Sequence, residues 1–437
     1  MACSHAMMSG WRRVLFLTVL AAVVLHAAPV AADARYLEDD AAIARVLSLV
    51  GQRLELMPAV AAVKWRSGAP IADPAREREV VSRAMKRALR FGLASEPVAG
   101  LVELQMRFGR EAQQRLHERW RERGFDVVAA PPDLARDLRP RIDALTGELL
   151  RAIHLALPAL IAPQLDERRA ELASARLGNL LTGPERAELL RALGGLRRAP
   201  VPILTRVRAA GVLRIGTTGD YAPFSIEHEG ALSGADIELA QVLAAHLGVE
   251  AVFVRTSWPT LLGDLAADRY DVALSGISVT PERWRAGFFS HRYHEGGKVP
   301  IARCTEGGRF DTLAEIDSPG ARVIVNPGGT NEQYAREHLR AAALRVHAEN
   351  RSVFDEIIAG RADVMITDDV EVELQTRRHP ELCRTMPVTL TRSVKAVLMP
   401  RDRALRTAVD RWLRPQITRG VPNRLLDASM RAGPAGR

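Results

Sequence analysis

The sequence lacks the signatures of several large functional classes. It contains no Walker motif and no dinucleotide-binding fingerprint, so we expect no cofactor of that kind. His291 and His294 stand at i, i+3 spacing without a third ligand at a suitable distance along the chain, so we expect surface or hydrogen-bonded histidines and no metal. Aromatic residues make up only 5% and do not alternate with basic residues along a stripe, which argues against nucleic acid as a partner.

Long apolar runs are also scarce. One run of about a dozen residues, 14–25, follows Arg12 and Arg13, and small residues continue from it to Ala32. This pattern predicts a secretory signal over residues 1–32, cleaved near Ala32 or Ala34. No second apolar run of about 20 residues follows, so we expect a periplasmic protein with no membrane contact after cleavage.

Cysteine is rare, with three in the whole chain. Cys3 lies within the predicted signal, which leaves Cys304 and Cys383 for an oxidising compartment. We expect a disulfide between them, worth on the order of 4–5 kcal/mol in the chain-entropy model because the loop is about 80 residues long. Two buried free thiols are the alternative.

The remaining composition is that of a globular chain with several domains. Its 437 residues suggest about three compact units at roughly 150 residues each. The hydrophobic fraction of 47% and the charged fraction of 26% exclude a disordered protein. Acidic and basic residues are interspersed, so an arginine-rich genome composition is the first explanation of the net charge of +9. Attraction of small polyanionic substrates is the functional alternative.

Two halves have different periodicities. Residues 33–198 are predicted to form an all-helical domain, since apolar positions recur at three- and four-residue spacing in 43–54 and 145–157. Residues 199–437 are predicted to form an α/β domain, since short apolar runs there alternate with helical segments. Ligands bind beyond the carboxyl ends of such strands, where Ser278, residues 326–331 and Asp368 fall.

Several polar residues of the helical half share faces of predicted helices. Arg53 and Lys64 stand 11 residues apart, close to three helical turns, although Pro58 between them predicts a kink. Gln105, Gly109 and Gln113 recur every four residues. Taken singly, each of these could be a solvated surface residue.

The ordered set, however, resembles the AroQ-type chorismate mutases of the exported gamma subclass. The resemblance covers about residues 40–195 and is most specific in 63–66 and 70–76, with Arg139 on a later helix. It implies that three arginines hold the two carboxylates of chorismate, that Lys64 and Gln113 donate to the breaking ether oxygen, and that Glu77 lies near the substrate hydroxyl. The three arginines are Arg53, Arg76 and Arg139.

The reaction implied is a unimolecular rearrangement to prephenate, driven by orientation of the reactive conformer and by stabilisation of charge on the ether oxygen. Position 109, counted among the substrate-binding residues, departs from the family because Gly109 replaces the usual Ser or Thr and so removes a donor. Gln113 donates at any pH, so we expect a mutase rate that varies little between about pH 5 and 8.

The α/β half resembles the periplasmic amino-acid-binding proteins over about residues 205–430. The motifs that carry the resemblance are 216–224, 275–283 and 326–332. It implies a two-lobed, periplasmic-binding-protein-like (type II) fold, with one lobe at about 203–302 and 398–437 and the other at about 303–397. Longer strings at 256–259 and 379–383 match cyclohexadienyl dehydratase, an enzyme on that scaffold.

This second resemblance implies a reacting centre and a binding shell. Glu371 would be the general acid, with Lys298 and Asn326 beside it, and Asp368 is the rival acid. Asp368 also falls where receptors bind an α-ammonium group, which would suit arogenate. Burial would raise the pKa of Glu371 and Lys298 would lower it. The shell would consist of Arg283, Ser278 and Thr330 on a substrate carboxylate, with Trp258 and Tyr221 against the ring.

Together the halves predict an exported bifunctional enzyme, because the product of the first reaction is the substrate of the second. Its partners would be the small molecules chorismate and prephenate, with arogenate as an alternative substrate, and we expect a homo-oligomer. A mutase fused to a non-catalytic receptor, and an interaction protein that has lost both activities, are the competing hypotheses.

Overall fold

A computed structural model describes residues 34–124 and 132–432. The predicted signal, residues 1–32, and its cleavage position at Ala32 lie outside the described residues.

The N-terminal half is helical, as predicted. A π-helical turn, Leu134–Leu138, leads into its fifth α-helix, and a 3-10 turn, Pro163–Leu165, leads into its sixth. Within the described residues its α-helices are α1 Asp39–Glu55, α2 Met57–Ser67, α3 Pro74–Arg90, α4 Ser95–Arg123, α5 Arg139–Ile161, α6 Asp166–Leu177 and α7 Gly183–Gly194.

Local sequence sets the helix ends that matter for the site. The Asp73 carboxylate accepts a hydrogen bond from the backbone N–H of Arg76 at 3.1 Å, which caps α3. Gly68 ends α2 in the left-handed conformation, at φ 68°. The predicted kink at Pro58 is a break instead: α1 ends at Glu55, and Pro58 lies in the first turn of α2, where its missing N–H has no helical partner to lose.

The core of this half lies between α1 and α5, whose Ile43, Leu47 and Ile153 are fully buried. These helices belong to two stretches, Asp39–Ser67 and Leu134–Ile161, that are long and apolar enough to cross a membrane by length and composition alone. Helices buried in a protein core have the same length and composition, so this finding does not indicate a membrane span. The expected lack of membrane contact stays a prediction.

The C-terminal half alternates strands and helices, as predicted. Its strands are β1 Val212–Thr217, β2 Asp220–Tyr221, β3 Ser225–His228, β4 Ala231–Ser233, β5 Glu250–Arg255, β6 Val272–Ala273, β7 Phe288–Phe289, β8 His294–Gly296, β9 Lys298–Arg303, β10 Arg322–Val325, β11 Ala343–Val346, β12 Val364–Asp368, β13 Leu382–Arg384, β14 Ser393–Lys395 and β15 Leu398–Met399. Its α-helices are α8 Ile203–Ala210, α9 Ala235–Leu247, α10 Leu261–Ala266, α11 Pro281–Ala286, α12 Leu313–Ile316, α13 Thr330–His338, α14 Val353–Ile358, α15 Asp369–Arg378, α16 Arg403–Thr418 and α17 Val421–Arg431.

Two five-stranded sheets define two lobes. The first has the order β5-β1-β6-β15-β7 and the second β11-β10-β12-β9-β13. The central strands are parallel, while β15 and β9 join antiparallel. Because β9 pairs with β12, Lys298 already belongs to the second sheet, a few residues before the predicted boundary at about residue 303, which stays a prediction.

The chain passes between the lobes through β8 and β14, which pair antiparallel. The polar residues that follow β6, β10 and β12 all stand at the carboxyl ends of parallel strands. Since such ends border the crevice of an open α/β sheet, the topology places Ser278, Asn326 and Asp368 together.

Candidate active sites

A cavity of about 430 Å³ lies among α1 to α5 of the helical half. It brings together every residue that the sequence predicted for this half, although these residues come from five separate helices. The lining includes Arg53, Lys64, Arg76, Glu77, Gly109, Gln113 and Arg139.

Arg53 is the most deeply buried cation of this cavity. Its Nη1 donates to the carbonyl oxygen of Ile142 at 3.1 Å and to the hydroxyl of Thr146, while its Nε has no partner. Burial lowers the pKa of Arg53 to about 10, with Asp143 opposing the shift, so the guanidinium remains charged at neutral pH.

Lys64 and Glu77 line the same cavity. Lys64 Nζ donates to the carbonyl oxygen of Ile71 at 2.5 Å. Burial lowers the pKa of Lys64, and the carboxylates of Asp73 and Glu77 oppose that shift. Glu77 pairs with Arg110 at 2.5 Å, an arginine that sequence reasoning did not single out.

The face of α4 explains the departure at position 109. A Cβ at Gly109 would lie 2.9 Å from the Met57 sulfur, so glycine leaves space for that side chain. Gln113 Nε2 donates to the carbonyl oxygen of Gly109 at 3.0 Å, and the Gln113 amide oxygen is unpartnered.

Two further polar side chains that line the cavity have buried atoms without hydrogen-bond partners, although Arg83 Nη1 pairs with Glu79 at 3.4 Å. Gln105 is 5% exposed, and neither its amide nitrogen nor its amide oxygen has a hydrogen-bond partner. Arg83 has unpartnered Nε and Nη2 atoms. Buried polar atoms are normally paired, so these groups indicate a polar ligand. The four-residue spacing from Gln105 to Gly109 to Gln113 was the sequence signal for the first of them, and Arg83 had none.

A second site lies between the lobes of the α/β half, at the end of β12. The Asp368 carboxylate accepts from Lys298 Nζ at 3.1 Å on one oxygen, and from Lys395 Nζ at 2.5 Å and the Tyr221 hydroxyl on the other. The two lysines together lower the pKa of Asp368 far below its ordinary value despite its burial.

Glu371 lies one turn further along, at the start of α15, and is 4% exposed. Its Oε2 accepts from the Thr367 hydroxyl. Burial, reinforced by the charge of Asp368, raises the pKa of Glu371 to about 7, although Thr367 and the lysines oppose that shift. The sequence left open whether burial or Lys298 has the larger effect on the pKa of Glu371, and in the structure burial has the larger effect.

Within the second lobe, amide side chains extend the hydrogen-bond network from Lys298 to the ends of β10 and β12. Lys298 Nζ donates to the side-chain oxygen of Asn331, whose Nδ2 donates at 3.0 Å to both Asn326 Oδ1 and Thr367 Oγ1. Sequence reasoning quoted Asn331 within a turn but gave it no role, and it gave Thr367 none.

A separate cavity of about 460 Å³ is lined by Trp258, Arg283 and Thr330, and it does not include Asp368, Glu371 or Lys298 in its lining. Arg283 Nη1 donates to the Ser278 carbonyl oxygen at 3.0 Å, and its guanidinium lies 5.7 Å from the Trp258 ring. Trp258 in turn packs edge-on against Tyr221 at 5.7 Å between centroids.

The lobes are closed on each other. Tyr221 of the first lobe donates to Asp368 of the second, and Asn350 Nδ2 of the second donates at 2.9 Å to the Asp220 carbonyl oxygen of the first. A closed cleft strengthens every charge interaction inside it, because water is excluded.

Cys304 and Cys383 form the predicted disulfide, with their Cα atoms 4.8 Å apart, and it joins β13 to the end of β9. Among residues 34–124 and 132–432, no group of three or more His, Cys, Asp or Glu side chains is arranged to hold a metal ion.

Comparisons with known proteins agree with this division. Residues 213–427 match the family model of the bacterial extracellular solute-binding proteins, family 3, and residues 40–114 match chorismate mutase type II. The chain is 50% identical over 212 residues to cyclohexadienyl dehydratase of Pseudomonas aeruginosa, covering 48% of this chain and 79% of that protein.

More distant relatives share the α/β half. The L-cystine-binding protein TcyJ of Escherichia coli is 30% identical over 167 residues, which cover 38% of this chain and 62% of that protein. The crystal structure of an amino acid ABC transporter substrate-binding protein from Streptococcus pneumoniae, bound to L-arginine, is 24% identical with a TM-score of 0.50, and the match covers 53% of this chain and 98% of that one. That likeness shows the fold.

A helical domain with a cationic cavity, followed by a closed two-lobed α/β domain, defines a chorismate mutase type II module joined to a solute-binding-protein module. The chain belongs to the cyclohexadienyl dehydratase family of the bacterial extracellular solute-binding proteins. Both sequence resemblances are thereby confirmed, whereas the roles of individual site residues stay proposals.

Proposed function

We propose that the protein is a bifunctional enzyme. Its helical half rearranges chorismate to prephenate, and its α/β half converts prephenate, or its amino analogue arogenate, to the aromatic product. The observation that carries this proposal is the buried Glu371, whose pKa of about 7 leaves a proton available beside Lys298 and Asp368 inside a closed cleft. A receptor that only holds its ligand needs no such acid.

In the helical half, catalysis rests on position and charge. Arg53, Arg76 and Arg139 hold the two carboxylates of chorismate, because guanidinium groups match planar anions. Lys64 and Gln113 donate to the ether oxygen as its bond to carbon breaks, which stabilises the charge that develops there. The unpartnered atoms of Arg53, Arg83 and Gln105 support a polar ligand in this cavity.

In the α/β half, the Glu371 carboxyl gives its proton to the C4 hydroxyl of prephenate, which leaves as water. The ring carboxylate leaves as CO₂, and its bonding electrons complete the aromatic ring of phenylpyruvate. Lys298, held by Asn331 and Asp368, stabilises the departing groups, and Arg283 and Thr330, which line a neighbouring cavity, hold a substrate carboxylate. Asp368 is a weak candidate for the acid, because the two lysines keep it ionised.

The experiment is to incubate the purified protein with chorismate and to follow prephenate and phenylpyruvate together. We expect both to form in sequence. Glu371→Gln should abolish phenylpyruvate while prephenate accumulates, because the amide has no acidic proton to give. Lys64→Ala should abolish the first step, yet leave added prephenate consumed at the normal rate.

Each variant is the control for the other, because each half is assayed in the same chain. Full dehydratase rate in Glu371→Gln would move the acid elsewhere. Binding of prephenate by the unaltered protein without release of an aromatic product would contradict the proposal and favour a receptor fused to a mutase.

We also propose export with cleavage near Ala32 or Ala34, and a homo-oligomeric state. The disulfide between Cys304 and Cys383 supports an oxidising compartment, and the solute-binding family is consistent with the periplasm. N-terminal mass spectrometry of secreted protein tests the cleavage, and sedimentation tests the oligomer.

A further inference from the structure

Residues 34–37 precede the first helix of the helical half, yet they lie on the α/β half. The backbone N–H of Leu37 donates to the Phe253 carbonyl oxygen at 2.6 Å, and that of Leu232 donates to the Ala34 carbonyl oxygen at 2.6 Å. The segment therefore runs along the free edge of β5 and beside β4. A segment added in this way satisfies backbone groups that an edge strand leaves unpaired. We call residues 34–37 the N-terminal strap.

Tyr36 is the side chain by which the strap enters the α/β half. It is 8% exposed and packs in the core of the first lobe. The Arg255 guanidinium lies over its ring, 3.9 Å from the centroid. A Cβ at Gly219 would collide with the Tyr36 hydroxyl oxygen, so glycine at this position makes room for the tyrosine. The hydroxyl has no hydrogen-bond partner among the described residues, so Tyr36 contributes packing alone.

The turn beneath the strap is also where the second lobe meets the first. The Gly219 carbonyl oxygen accepts from the backbone N–H of Glu227 at 2.8 Å, which ties the turn to β3. From the second lobe, Arg351 Nη1 donates to the Glu227 carbonyl oxygen at 3.1 Å, and Asn350 Nδ2 donates to the Asp220 carbonyl oxygen at 2.9 Å. The strap therefore supports the surface of the first lobe on which the second lobe closes.

The same turn continues into the proposed dehydratase site. Tyr221 follows it directly in β2, and its hydroxyl donates to Asp368. The Tyr221 ring also packs edge-on against Trp258. Side chains of a reacting site need to be held to within about 0.5 Å by the residues around them. A shift of the turn would move Tyr221 with it, so the packing of Tyr36 affects the site through the backbone.

We propose that Tyr36 is a positioning residue of the dehydratase, although it precedes the helices of the mutase. It holds residues 219–221 in the conformation in which the second lobe closes and Tyr221 reaches Asp368. This inference rests on the proposed function, because it assigns Tyr36 to the reaction of the α/β half. The dehydratase is then built from two separate stretches of the chain, the strap and the residues from 199 onwards.

The first test removes the ring in the full chain. Tyr36→Ala should lower kcat/KM for prephenate at least about fivefold, because fewer molecules hold the closed form that is competent for the reaction. Tyr36→Phe is the matched control and should stay within about twofold of the unaltered protein, because it removes only an unpartnered hydroxyl. The mutase rate, assayed in the same chains, should not change in either variant.

Two results of this test would overturn the inference. One is a dehydratase rate that Tyr36→Ala leaves unchanged. The other is an equal loss in Tyr36→Ala and Tyr36→Phe, which would assign the effect to the hydroxyl and not to the packing of the ring.

A double-variant cycle separates positioning from a general loss of stability. Arg351→Ala removes a contact that the second lobe makes with the same part of the first lobe, so it should also lower kcat/KM. If Tyr36 acts through that contact, the double variant should lose less than the product of the two single losses. Losses that multiply would show that Tyr36 acts independently of lobe closure and would contradict the proposal.

Hydrogen exchange of the unaltered protein does not depend on a folded variant. The amides of Leu37 and Leu232, which are bonded across the strap, should exchange as slowly as the amides of β5. Fast exchange at both positions beside a protected β5 would show that the strap is detached in solution, and the inference would fail.

Calorimetry separates this inference from the proposed function. If the unaltered protein binds prephenate and releases no aromatic product, the proposed function fails, yet the support of the closed form is still measurable. Tyr36→Ala should then bind prephenate at least about fivefold more weakly than Tyr36→Phe does. Equal affinities of the two variants would overturn the role of Tyr36.

Discussion

At the scale of single residues, Asp368 and Glu371 show how environment divides two neighbouring carboxylates. Both are almost completely buried and they stand three positions apart. Two lysines hold the pKa of Asp368 far below its usual value, whereas burial raises the pKa of Glu371 to about 7. One carboxylate is therefore a fixed charge, and the other can exchange a proton near neutral pH.

The pH profile of the dehydratase follows from that assignment. An acid with a pKa of about 7 is active below that value, so kcat/KM for prephenate should fall about tenfold per pH unit above about pH 7.5. The mutase rate of the same protein is the internal control. It should stay nearly constant from about pH 5 to 8, because the Gln113 amide does not titrate and donates its hydrogen bond throughout that range. A dehydratase rate that is flat to about pH 9 would contradict the assignment, and a mutase rate falling steeply above about pH 6 would contradict the role of Gln113.

At this scale the sequence predicted which residues form the site, but it did not predict their protonation states. Motifs supplied Glu371, Lys298 and Asn326, while the direction of the shift in the Glu371 pKa depends on burial, which the folded structure determines. Lys395 carried no sequence signal, because it stands in a three-residue strand, 27 positions after Asp368. It reaches the site through the pairing of β14 with β8 and a bridge to Ser278.

At the scale of elements, one face of α4 combines substrate binding with a cost in stability. Gln105 is buried with both amide atoms unpartnered, a state that destabilises the unoccupied protein. The neighbouring Gly109 makes room for Met57 and contributes no donor side chain. Gln105 therefore supplies a second hydrogen-bonding amide on this face, in addition to Gln113.

Gln105→Leu should separate the two effects. We expect KM for chorismate to rise about tenfold, since a hydrogen bond to a charged ligand is lost, and the free energy of unfolding to rise by about 1 kcal/mol, since the unpaired amide is gone. Gln114→Leu makes the same change at an exposed position of α4 and should alter neither KM nor turnover of added prephenate. A lower KM, or lower stability at unchanged KM, would show that the Gln105 amide has another role.

Helices and strands were predicted well where the apolar periodicity extends over many residues. They were predicted less well where tertiary contacts determine the sheet to which a strand belongs or the residue at which a helix begins. The helices of the first half and the parallel strands β1, β5, β10 and β12 follow the apolar pattern of the sequence. The start of the second lobe is hard to place from sequence, because β9 is an antiparallel strand whose sheet depends on its pairing with β12. Likewise, Pro58 lies in the first turn of α2. A proline at this position is compatible with either a kinked helix or two separate helices, and the sequence alone does not distinguish them.

At the scale of the whole molecule, a buried charge network joins the two halves. Arg198 comes from the end of the helical half and contacts Asp268 of the α/β half, which also binds Arg206 and Arg214. His154 of α5 is fully buried against this network, with Nδ1 3.0 Å from Arg198 Nη1 and 2.8 Å from the Phe91 carbonyl oxygen. Ion pairs of this kind are sensitive to the loss of one partner.

This network makes the stability of the protein depend on pH. Burial, reinforced by the charge of Arg198, lowers the pKa of His154 well below 6.5. As the pH falls below about 6.5, the unfolded chain takes up a proton at His154 that the folded protein does not, so the free energy of unfolding falls across that window and levels off below the folded pKa.

Urea denaturation at pH 7.5, 6 and 5 should show this loss, and His154→Gln should reduce the pH dependence, whatever its stability at pH 7.5. His228→Gln, at an exposed position, is the matched control and should keep the original slope. An unchanged slope in His154→Gln would assign the acid sensitivity to other groups of the interface.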